Sequence, residues 1–429
     1  MRALRDVIHD FLDAARHFSR PARFYLLAEF LIWTAHGVYS VLFNLYLVEA
    51  GFPESFVGRA VSMNAIGVAV AAIPAGILAE RWGRKRSLML GAVLEGVGHI
   101  LRATTAHGPT LLATGFVVGV GQSFFQIAAA PFLSEHSTPR ERTHLFSTFF
   151  AAALIAGVVG SAVGGAIPRL IGALWPAVTL FWAYRVTLLG AAVLAMCSIV
   201  PLGQIGGGRE HALEGEAPIP SREQARALAP VAFNALLIGM GAGLVIPFMN
   251  LYFKDRFGCS SAKIGTIFSI AQIFTATASL LGPAIARRFG KLRTATASQL
   301  LSLPFLVTLG AERRLEVAAA SFWARATLMQ ASTPLVQTFI MEAMPPQLRS
   351  RATSTINLVW NIGWAVSAAG AGLIIEKFGF ATPFYLTAGL YGIAAITFWR
   401  AYHRMPEQGG EVRLSEEAKG LRGESTIPD

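Results

Sequence analysis

The chain has 429 residues, of which 54% are apolar and only 14% are charged, whereas soluble domains carry about 25% charged residues. The formal charge is +11, but the basic residues follow the loops between long apolar blocks, which argues against a nucleic-acid-binding protein. Cys197 lies in an apolar block and Cys259 in a loop, so we expect no disulfide. No spacing typical of metal ligands occurs.

Residues 1–22 have an amphipathic pattern. Apolar residues recur at helical spacing from Leu4 to Phe18, and charged residues fill the other face. Aspartates at positions 6, 10 and 13 argue against a cleaved targeting segment. We therefore expect a helix that lies on the membrane surface.

Twelve apolar blocks follow, each long enough to cross a bilayer as a helix of about 20 residues. We place them at residues 24–48, 56–79, 87–105, 109–133, 144–168, 177–201, 228–252, 262–286, 294–310, 316–340, 352–375 and 382–401. The sequence predicts an all-α membrane protein with twelve transmembrane helices in two six-helix bundles.

The predicted bundles comprise residues 23–201 and 228–402. Residues 202–227 between them are rich in glycine, proline and charge, so we expect a flexible linker. The polar tail 403–429 is expected to be disordered.

Lys and Arg concentrate in alternate loops, and both ends of the chain belong to the richer set. The positive-inside rule assigns that set to the cytoplasm. We therefore expect a multi-pass protein of the inner (plasma) membrane with both termini cytoplasmic.

The two halves repeat each other at a step of 207 residues. The matched residues are Gly51 with Gly258, Gly58 with Gly265, Gly83 with Gly290, Glu135 with Glu342, Pro139 with Pro346, Arg142 with Arg349, and Gly165 with Gly372. Asn44-Leu45-Tyr46 also matches Asn250-Leu251-Tyr252, displaced by one. A fixed step of this kind indicates tandem, pseudo-symmetric halves, which is a known transporter plan.

The link between the second and third spans, from Gly76 to Arg86, resembles the signature loop G-x-L-a-D-r-x-G-r-k of the major facilitator superfamily. A weaker copy runs from Ala286 to Lys291. Glu80 takes the place of the usual aspartate. The resemblance implies that Glu80 pairs with Arg84 or with basic residues near Arg349 and holds the cytoplasmic side closed.

The same conformational switch is expected to include Gly76 as a close-packing position, Gly83 as a tight turn, and Arg81. The segment Glu135 to Arg142 resembles a second cytoplasmic motif of the family, E-x-x-x-P-x-x-R, and its copy runs from Glu342 to Arg349. These segments are interpreted as latches between helices. Ordinary positive-inside placement is an alternative explanation for the basic residues.

Span five carries Gly157, Gly160, Ser161, Gly164 and Gly165. This resembles the G-P-x-x-G-G element of proton-coupled exporters in the drug:proton antiporter branch, with Ser161 in place of the proline. Simple small-residue packing explains the same glycines. The arginine that this branch carries in span four is replaced here by Gly115, which puts a proton-transfer role for that span in doubt.

Ionisable groups inside the spans are costly in hydrocarbon, so they indicate function or a buried pair. Arg325 in span ten is the leading candidate for an anion-binding or gating residue. Glu95 and His99 share a face of span three, and a pair with Arg185 of span six is either structural or part of a proton relay. Glu29 in span one is the alternative proton carrier.

Uncharged side chains at similar depth complete the predicted substrate site. They comprise Gln122, Gln126, Gln330, Asn357, Asn361, Trp33 and Tyr39. Amides of this kind bind polar solutes, but they also join helices by hydrogen bonds.

The resemblance implies a secondary active transporter, and the leading interpretation is proton-coupled export of an amphipathic compound. Uptake of a sugar, peptide, siderophore or lipid-like solute is an alternative, and so is a receptor of the same fold that does not transport. No G-x-x-x-x-G-K-[ST] motif or catalytic cluster occurs, so we expect neither an ATP-driven pump nor an enzyme, and no cofactor. The expected partners are a small-molecule substrate, membrane lipids and protons, and we expect a monomer.

Overall fold

The computed structural model describes residues 18–138, 141–206, 222–344 and 346–403. The surface helix predicted for residues 1–22 therefore lies almost wholly outside the described residues. The same holds for most of the predicted linker and for the tail.

Twelve long helices account for most of the described chain. They are α1 (Arg20–Glu49), α2 (Glu54–Trp82), α3 (Arg84–Thr104), α4 (Gly108–Glu135), α5 (Arg142–Leu174), α6 (Leu180–Cys197), α7 (Arg222–Val245), α8 (Ser261–Phe289), α9 (Lys291–Ala311), α10 (Leu315–Ala343), α11 (Pro346–Phe378) and α12 (Ala381–Tyr402). A short helix, Ile199–Gly203, extends α6. A 3₁₀ turn, Ile246–Phe248, and the helix Met249–Phe257 extend α7.

Nine of the twelve long helices described are long and apolar enough to cross a membrane. The other three are α3, α8 and α10, and each buries polar side chains, such as His99, Ser269 and Arg325. Large apolar side chains such as Ile73 and Phe378 are instead about 70% exposed on the outside of the bundle. This distribution suits a protein surrounded by lipid.

The helices pack in two equivalent sets of six. In the first half, α1 packs on α5 and α6, and α4 packs on α2 and α3. In the second half, α7 packs on α11 and α12, and α10 packs on α8 and α9. Between the halves, α2 contacts α11 and α5 contacts α8, so these two contacts are also equivalent under the repeat. The predicted fold class, two pseudo-symmetric six-helix bundles, is confirmed.

The turns between helices also repeat. Gly83 ends α2 and Gly290 ends α8, and both have φ of 88°, in the left-handed region that favours glycine. Both turns lie at the same end of the molecule as the first and last described residues, and we call this end the terminal side. The other end, where α1 meets α2 and α7 meets α8, is the opposite side.

Four glycines bring the bundles together near the opposite side. A Cβ on Gly58 of α2 would lie 2.5 Å from the Ala368 carbonyl of α11, beside Gly372. A Cβ on Gly265 of α8 would lie 2.4 Å from the Ser161 carbonyl of α5, beside Gly165. Only glycine permits helix backbones to approach this closely. The repeat step of 207 exchanges the two contacts.

Substitution of Gly265 by valine should open the opposite side, because the new side chain overlaps the α5 backbone. Overpacking of this kind costs about 1–3 kcal/mol, enough to shift a two-state population about tenfold. The buried thiol of Cys259, close to this contact and 4% exposed, provides the reporter. In a Cys197→Ser background, its labelling by a membrane-impermeant maleimide should speed up about tenfold.

The matched control is Gly190→Val, because a Cβ on Gly190 meets no atom within 4 Å. An unchanged Cys259 labelling rate and an unchanged unfolding temperature in Gly265→Val would show that the glycine contact does not hold this side closed.

Candidate functional site

A cavity of about 860 Å³ lies between the two bundles. Residues of α1, α2, α3 and α4 line it from one half, and residues of α7 to α12 line it from the other. Its lining reaches Ile340, close to the end of α10 on the terminal side. At the opposite side the glycine contacts close the space between the bundles. The cavity is large enough for a small organic ligand and is placed where both halves can contact it.

Two asparagines reinforce the closure at the opposite side. The Nδ2 of Asn250 donates hydrogen bonds to the carbonyls of Val41 (3.0 Å) and Ser40 (3.2 Å) on α1. The Nδ2 of Asn44 donates to the Pro247 carbonyl. This carbonyl belongs to the 3₁₀ turn that interrupts α7. The matched Asn-Leu-Tyr segments of the repeat therefore meet each other across the pseudo-symmetry axis.

Five of the eight predicted substrate residues line the cavity, namely Arg325, Gln122, Gln330, Asn357 and Tyr39. Gln126, Asn361 and Trp33 are not among the lining residues. Gln126 is exposed one turn nearer the terminal side, the Nδ2 of Asn361 donates to the Asn357 carbonyl, and the Nε1 of Trp33 donates to Glu29 at 2.6 Å. We therefore remove these three from the candidate site.

Arg325 is 4% exposed in the wall formed by α10. One of its terminal nitrogens donates a hydrogen bond to the Tyr391 hydroxyl at 3.0 Å, and its guanidinium carbon lies 5.7 Å from the centroid of the same ring. Its Nε has no hydrogen-bond partner among the described residues. The guanidinium is thus anchored at one end and retains a free donor.

Arg102 is a second buried arginine in the cavity wall, and it was not among the residues predicted for the site. It is 5% exposed, and its guanidinium carbon lies 4.8 Å from the centroid of the Phe43 ring. Its Nε is also unpartnered within the described ranges. The signal was present, because Arg102 follows Glu95 and His99 at i+7 and i+3 on one helical face.

Glu95 lies beside His36, which sequence analysis did not single out, and the two form an ion pair when His36 is protonated. The His36 Nε2 lies 3.4 Å from a Glu95 carboxylate oxygen and 3.4 Å from the Gln122 Nε2. His99 stacks on Tyr39 with ring centroids 4.0 Å apart, and neither of its ring nitrogens has a hydrogen-bond partner in the described chain. His36 and His99 both line the cavity. Span three therefore reaches the site through His99 and Arg102.

Arg185 does not pair with Glu95 or His99, in contrast to the expectation from sequence. Its Nε donates to the Ala103 carbonyl at 2.8 Å, and a terminal nitrogen donates to the Thr104 carbonyl. These carbonyls belong to the last turn of α3, where a cation is favoured by the helix dipole. Arg185 thus caps α3. The expected pair is absent because the depth of Arg185 along α6 does not determine which neighbouring helix its side chain faces.

Glu29 is buried, and its hydrogen bonds come from its own helix. Its two carboxylate oxygens accept from the Trp33 Nε1 at 2.6 Å and from the Tyr25 hydroxyl at 3.2 Å. Both donors come from α1 itself, so Glu29 is satisfied locally. Glu29 is not among the cavity-lining residues.

The motif residues at the terminal side make contacts within each bundle. Arg84 lies 3.4 Å from Glu135, and Lys291 pairs with Glu342 at the equivalent positions of the second half. Arg142 donates to the Ser134 carbonyl (3.1 Å) and to the Ser137 hydroxyl (3.3 Å).

The expected pair of Glu80 with Arg84 is not formed, because Arg84 reaches Glu135 instead. Glu80 and Arg81 are exposed, and a Cβ on Gly76 would meet no atom within 4 Å, so the close packing expected there is absent from this conformation. The side chain of Arg349 lies outside the described residues.

The glycines of span five serve two interfaces. A Cβ on Gly160 would lie 2.1 Å from the Thr34 carbonyl, and one on Gly164 would lie 2.8 Å from the Val38 Cα, so both pack against α1. Gly165 faces Gly265 of α8 instead. Small-residue packing accounts for all three positions in this conformation.

Residues 25–228 and 231–426 match the family model of the Major Facilitator Superfamily. Curated relatives include the Multidrug resistance protein MdtG of Proteus mirabilis (strain HI4320), 24% identical over 382 residues that cover 85% of this chain and 91% of the relative. The uncharacterized MFS-type transporter YhhS of Escherichia coli (strain K12) is 24% identical over 393 residues, covering 85% and 88%.

Solved structures show the same fold. A D-xylose-proton symporter superposes with a TM-score of 0.73 at 15% identity, covering 91% of this chain and 99% of that one. A bacterial homolog to the human lysosomal transporter Spinster, in an inward-facing and occupied conformation, has a TM-score of 0.72 at 16% identity, covering 90% and 98%.

The two glutamines of α4 provide a matched test of the cavity wall. Gln122→Ala should weaken binding of a cavity ligand by about tenfold, because a polar contact beside His36 is lost. Gln126→Ala removes the same group one turn away, outside the cavity lining, and should leave the affinity unchanged. Titration calorimetry with a ligand from a thermal-shift screen measures both. Equal losses in the two variants would show that the binding site is not the cavity described here.

Proposed function

The chain belongs to the Major Facilitator Superfamily, a family of multi-pass membrane transporters that work by alternating access, and on that premise we propose that it exports an amphipathic organic solute in exchange for protons. The observation that carries the proposal is the cavity. It lies between two pseudo-symmetric halves, is closed at one side, and has His36 in its lining, with Glu95 3.4 Å from that imidazole.

The lining of the cavity favours an amphipathic solute. Trp360 and Trp364 lie with ring centroids 4.9 Å apart, and Phe322 joins them in the lining. Amide groups of Gln122, Gln330 and Asn357 lie in the same cavity. A site with an aromatic surface and few polar groups suits a ligand with an apolar body and a polar end.

Alternating access follows from where the bundles touch. The glycine and asparagine contacts at the opposite side are formed, whereas the ion pairs described for the motif residues at the terminal side, Arg84–Glu135 and Lys291–Glu342, each lie within one bundle. Rotation of one bundle against the other would separate Gly58 from Gly372 and Gly265 from Gly165, and would bring the terminal ends together. The excess of Lys and Arg in the loops of the terminal side favours a cytoplasmic location for that side.

The Glu95–His36 pair is the proposed proton site. A histidine changes charge near neutral pH, and a carboxylate beside it changes the charge balance when either group binds a proton. His36 also contacts Gln122 in the cavity wall, so protonation and solute binding act on neighbouring groups. The partial likeness of span five to the exporter element and the similarity to MdtG support export over uptake.

Proteoliposomes with opposite pH gradients test the direction of transport. With the interior made alkaline and the exterior acidic, protons moving inward should drive the solute outward from a cytoplasmic-side-in liposome. Reversal of the gradient should abolish this net flux. A gradient that drives solute and protons in the same direction would establish uptake by symport, and no flux under any gradient would favour a receptor.

Glu95→Gln should uncouple the two movements, since it removes the charge that pairs with His36. We expect solute-induced proton flux to fall about tenfold or more while facilitated solute exchange continues. Glu29→Gln is the matched control, because Glu29 is buried equally but bonded only within α1. Proton flux retained in Glu95→Gln and lost in Glu29→Gln would show that Glu29, and not Glu95, is the proton site.

A further inference from the structure

Two buried arginines face the cavity without an acidic partner. Arg102 and Arg325 are 5% and 4% exposed, and both line the space between the bundles. Among the described lining residues there is no aspartate or glutamate. Glu95 lies behind His36 and pairs with it. The wall of the cavity therefore carries positive charge that the described protein does not neutralise.

A charge removed from water is costly unless it is paired. The other basic groups of this chain illustrate the usual solutions. Arg185 donates to the carbonyls at the end of α3, and Arg84 pairs with Glu135. Arg102 and Arg325 instead contact aromatic faces, and Arg325 adds one neutral hydroxyl.

Each of these two guanidiniums also keeps an unused donor. The Nε atoms of Arg102 and Arg325 are buried and lack a hydrogen-bond partner in the part of the chain that the structure describes. The planar guanidinium presents its N–H groups as a fork that matches carboxylate and phosphate oxygens. The missing partner has the chemistry of an oxyanion.

Resting on the proposed function, we infer that the transported solute is an amphipathic organic anion, whose carboxylate, sulfonate or phosphate group pairs with Arg102 and Arg325. Its apolar body lies against Trp360 and Trp364. Binding offsets positive charge on the arginines, so the occupied cavity can close more easily than the empty one. The charge on the solute thereby becomes part of the transport cycle as well as of recognition.

Binding of matched probes to the purified full-length protein in nanodiscs of neutral phosphatidylcholine tests this inference. The probes share a naphthalene ring and differ in one substituent: carboxylate, sulfonate or phosphate as anions, carboxamide as the neutral form, and methylammonium as the cation. We expect at least one anion to bind about tenfold or more tightly than the amide, because hydrogen bonds to charged groups are the stronger ones.

The arginine variants locate the effect. Arg102→Gln and Arg325→Gln should each reduce anion affinity about tenfold or more and leave amide affinity unchanged. Arg325→Lys retains the charge but loses the fork, so its loss should be intermediate. Arg185→Gln removes an arginine outside the cavity and should keep the anion preference. Thermal unfolding of each variant identifies any that fails to fold, and the remaining arginine then carries the test.

The inference is overturned if no anion in the panel binds, or if the amide or ammonium binds as tightly as the anions. It is also overturned if the preference survives in both glutamine variants. Anionic phosphatidylglycerol in the nanodisc distinguishes two sources of the same chemistry. If phosphatidylglycerol competes with the anionic probe and the competition requires the arginines, the natural ligand is a lipid headgroup. If it does not compete, the ligand is a soluble anion. Either result supports the oxyanion site.

Failure of the inference and failure of the proposed function have different signatures. Proton-coupled flux of a neutral or cationic solute, without anion preference, would support the transport function and contradict the anionic substrate. Arginine-dependent anion binding with no flux under any gradient would support the anion site and contradict transport.

Discussion

The direct contact of helix backbones at two equivalent glycine pairs is the constraint on which the rest of the structure depends. Gly58 beside Gly372 and Gly165 beside Gly265 bring α2 to α11 and α5 to α8 near one end of the molecule. Any side chain at these positions would hold the bundles apart. Because the bundles converge here and diverge toward the terminal side, a cavity opens between them.

The surroundings of the bundle explain which residues occupy that cavity. Hydrocarbon offers no partner for a polar group, so polar side chains are retained only where they bond internally or meet a ligand. Glu29, bonded to Tyr25 and Trp33, belongs to the first kind. Of the three long helices that lack an apolar stretch sufficient to cross a membrane, α3 carries Glu95, His99 and Arg102, and α10 carries Arg325. These polar side chains interrupt the apolar stretches of the two helices and belong to the polar surroundings of the site.

The sequence predicts the helices, their grouping and the repeat, because long apolar blocks and a constant step of 207 residues are direct consequences of crossing a membrane in two equivalent halves. The repeat identifies Gly58 and Gly265 as equivalent, but it does not reveal that Gly58 packs on α11 and Gly265 on α5. Those partners depend on how the two halves face each other.

The candidate site is less accessible to sequence reasoning. Five predicted substrate residues line the cavity, because depth in a span correlates with distance from water. Gln126, Asn361 and Trp33 have comparable depth but different surroundings, and Arg185 has a partner that depth cannot predict. Arg102 was not predicted for the site because it lies at the end of span three, close to the loop, and its long side chain reaches inward from the end of α3. His36 was overlooked because it stands alone in an apolar run, and only the fold brings Glu95 beside it.

The ion pairs at the terminal side have a mechanical consequence. Arg84 with Glu135 and Lys291 with Glu342 fasten the start of α3 to the end of α4, and the start of α9 to the end of α10, inside their own halves. Each half is thereby braced as a lever with its fulcrum at the glycines. About 24 residues at about 1.5 Å each separate Gly58 from the far end of α2, so a tilt of about 10° displaces that end by about 6 Å. A rotation too small to disturb any single helix is thus magnified, by arm length alone, into an aperture wider than an aromatic ring is thick.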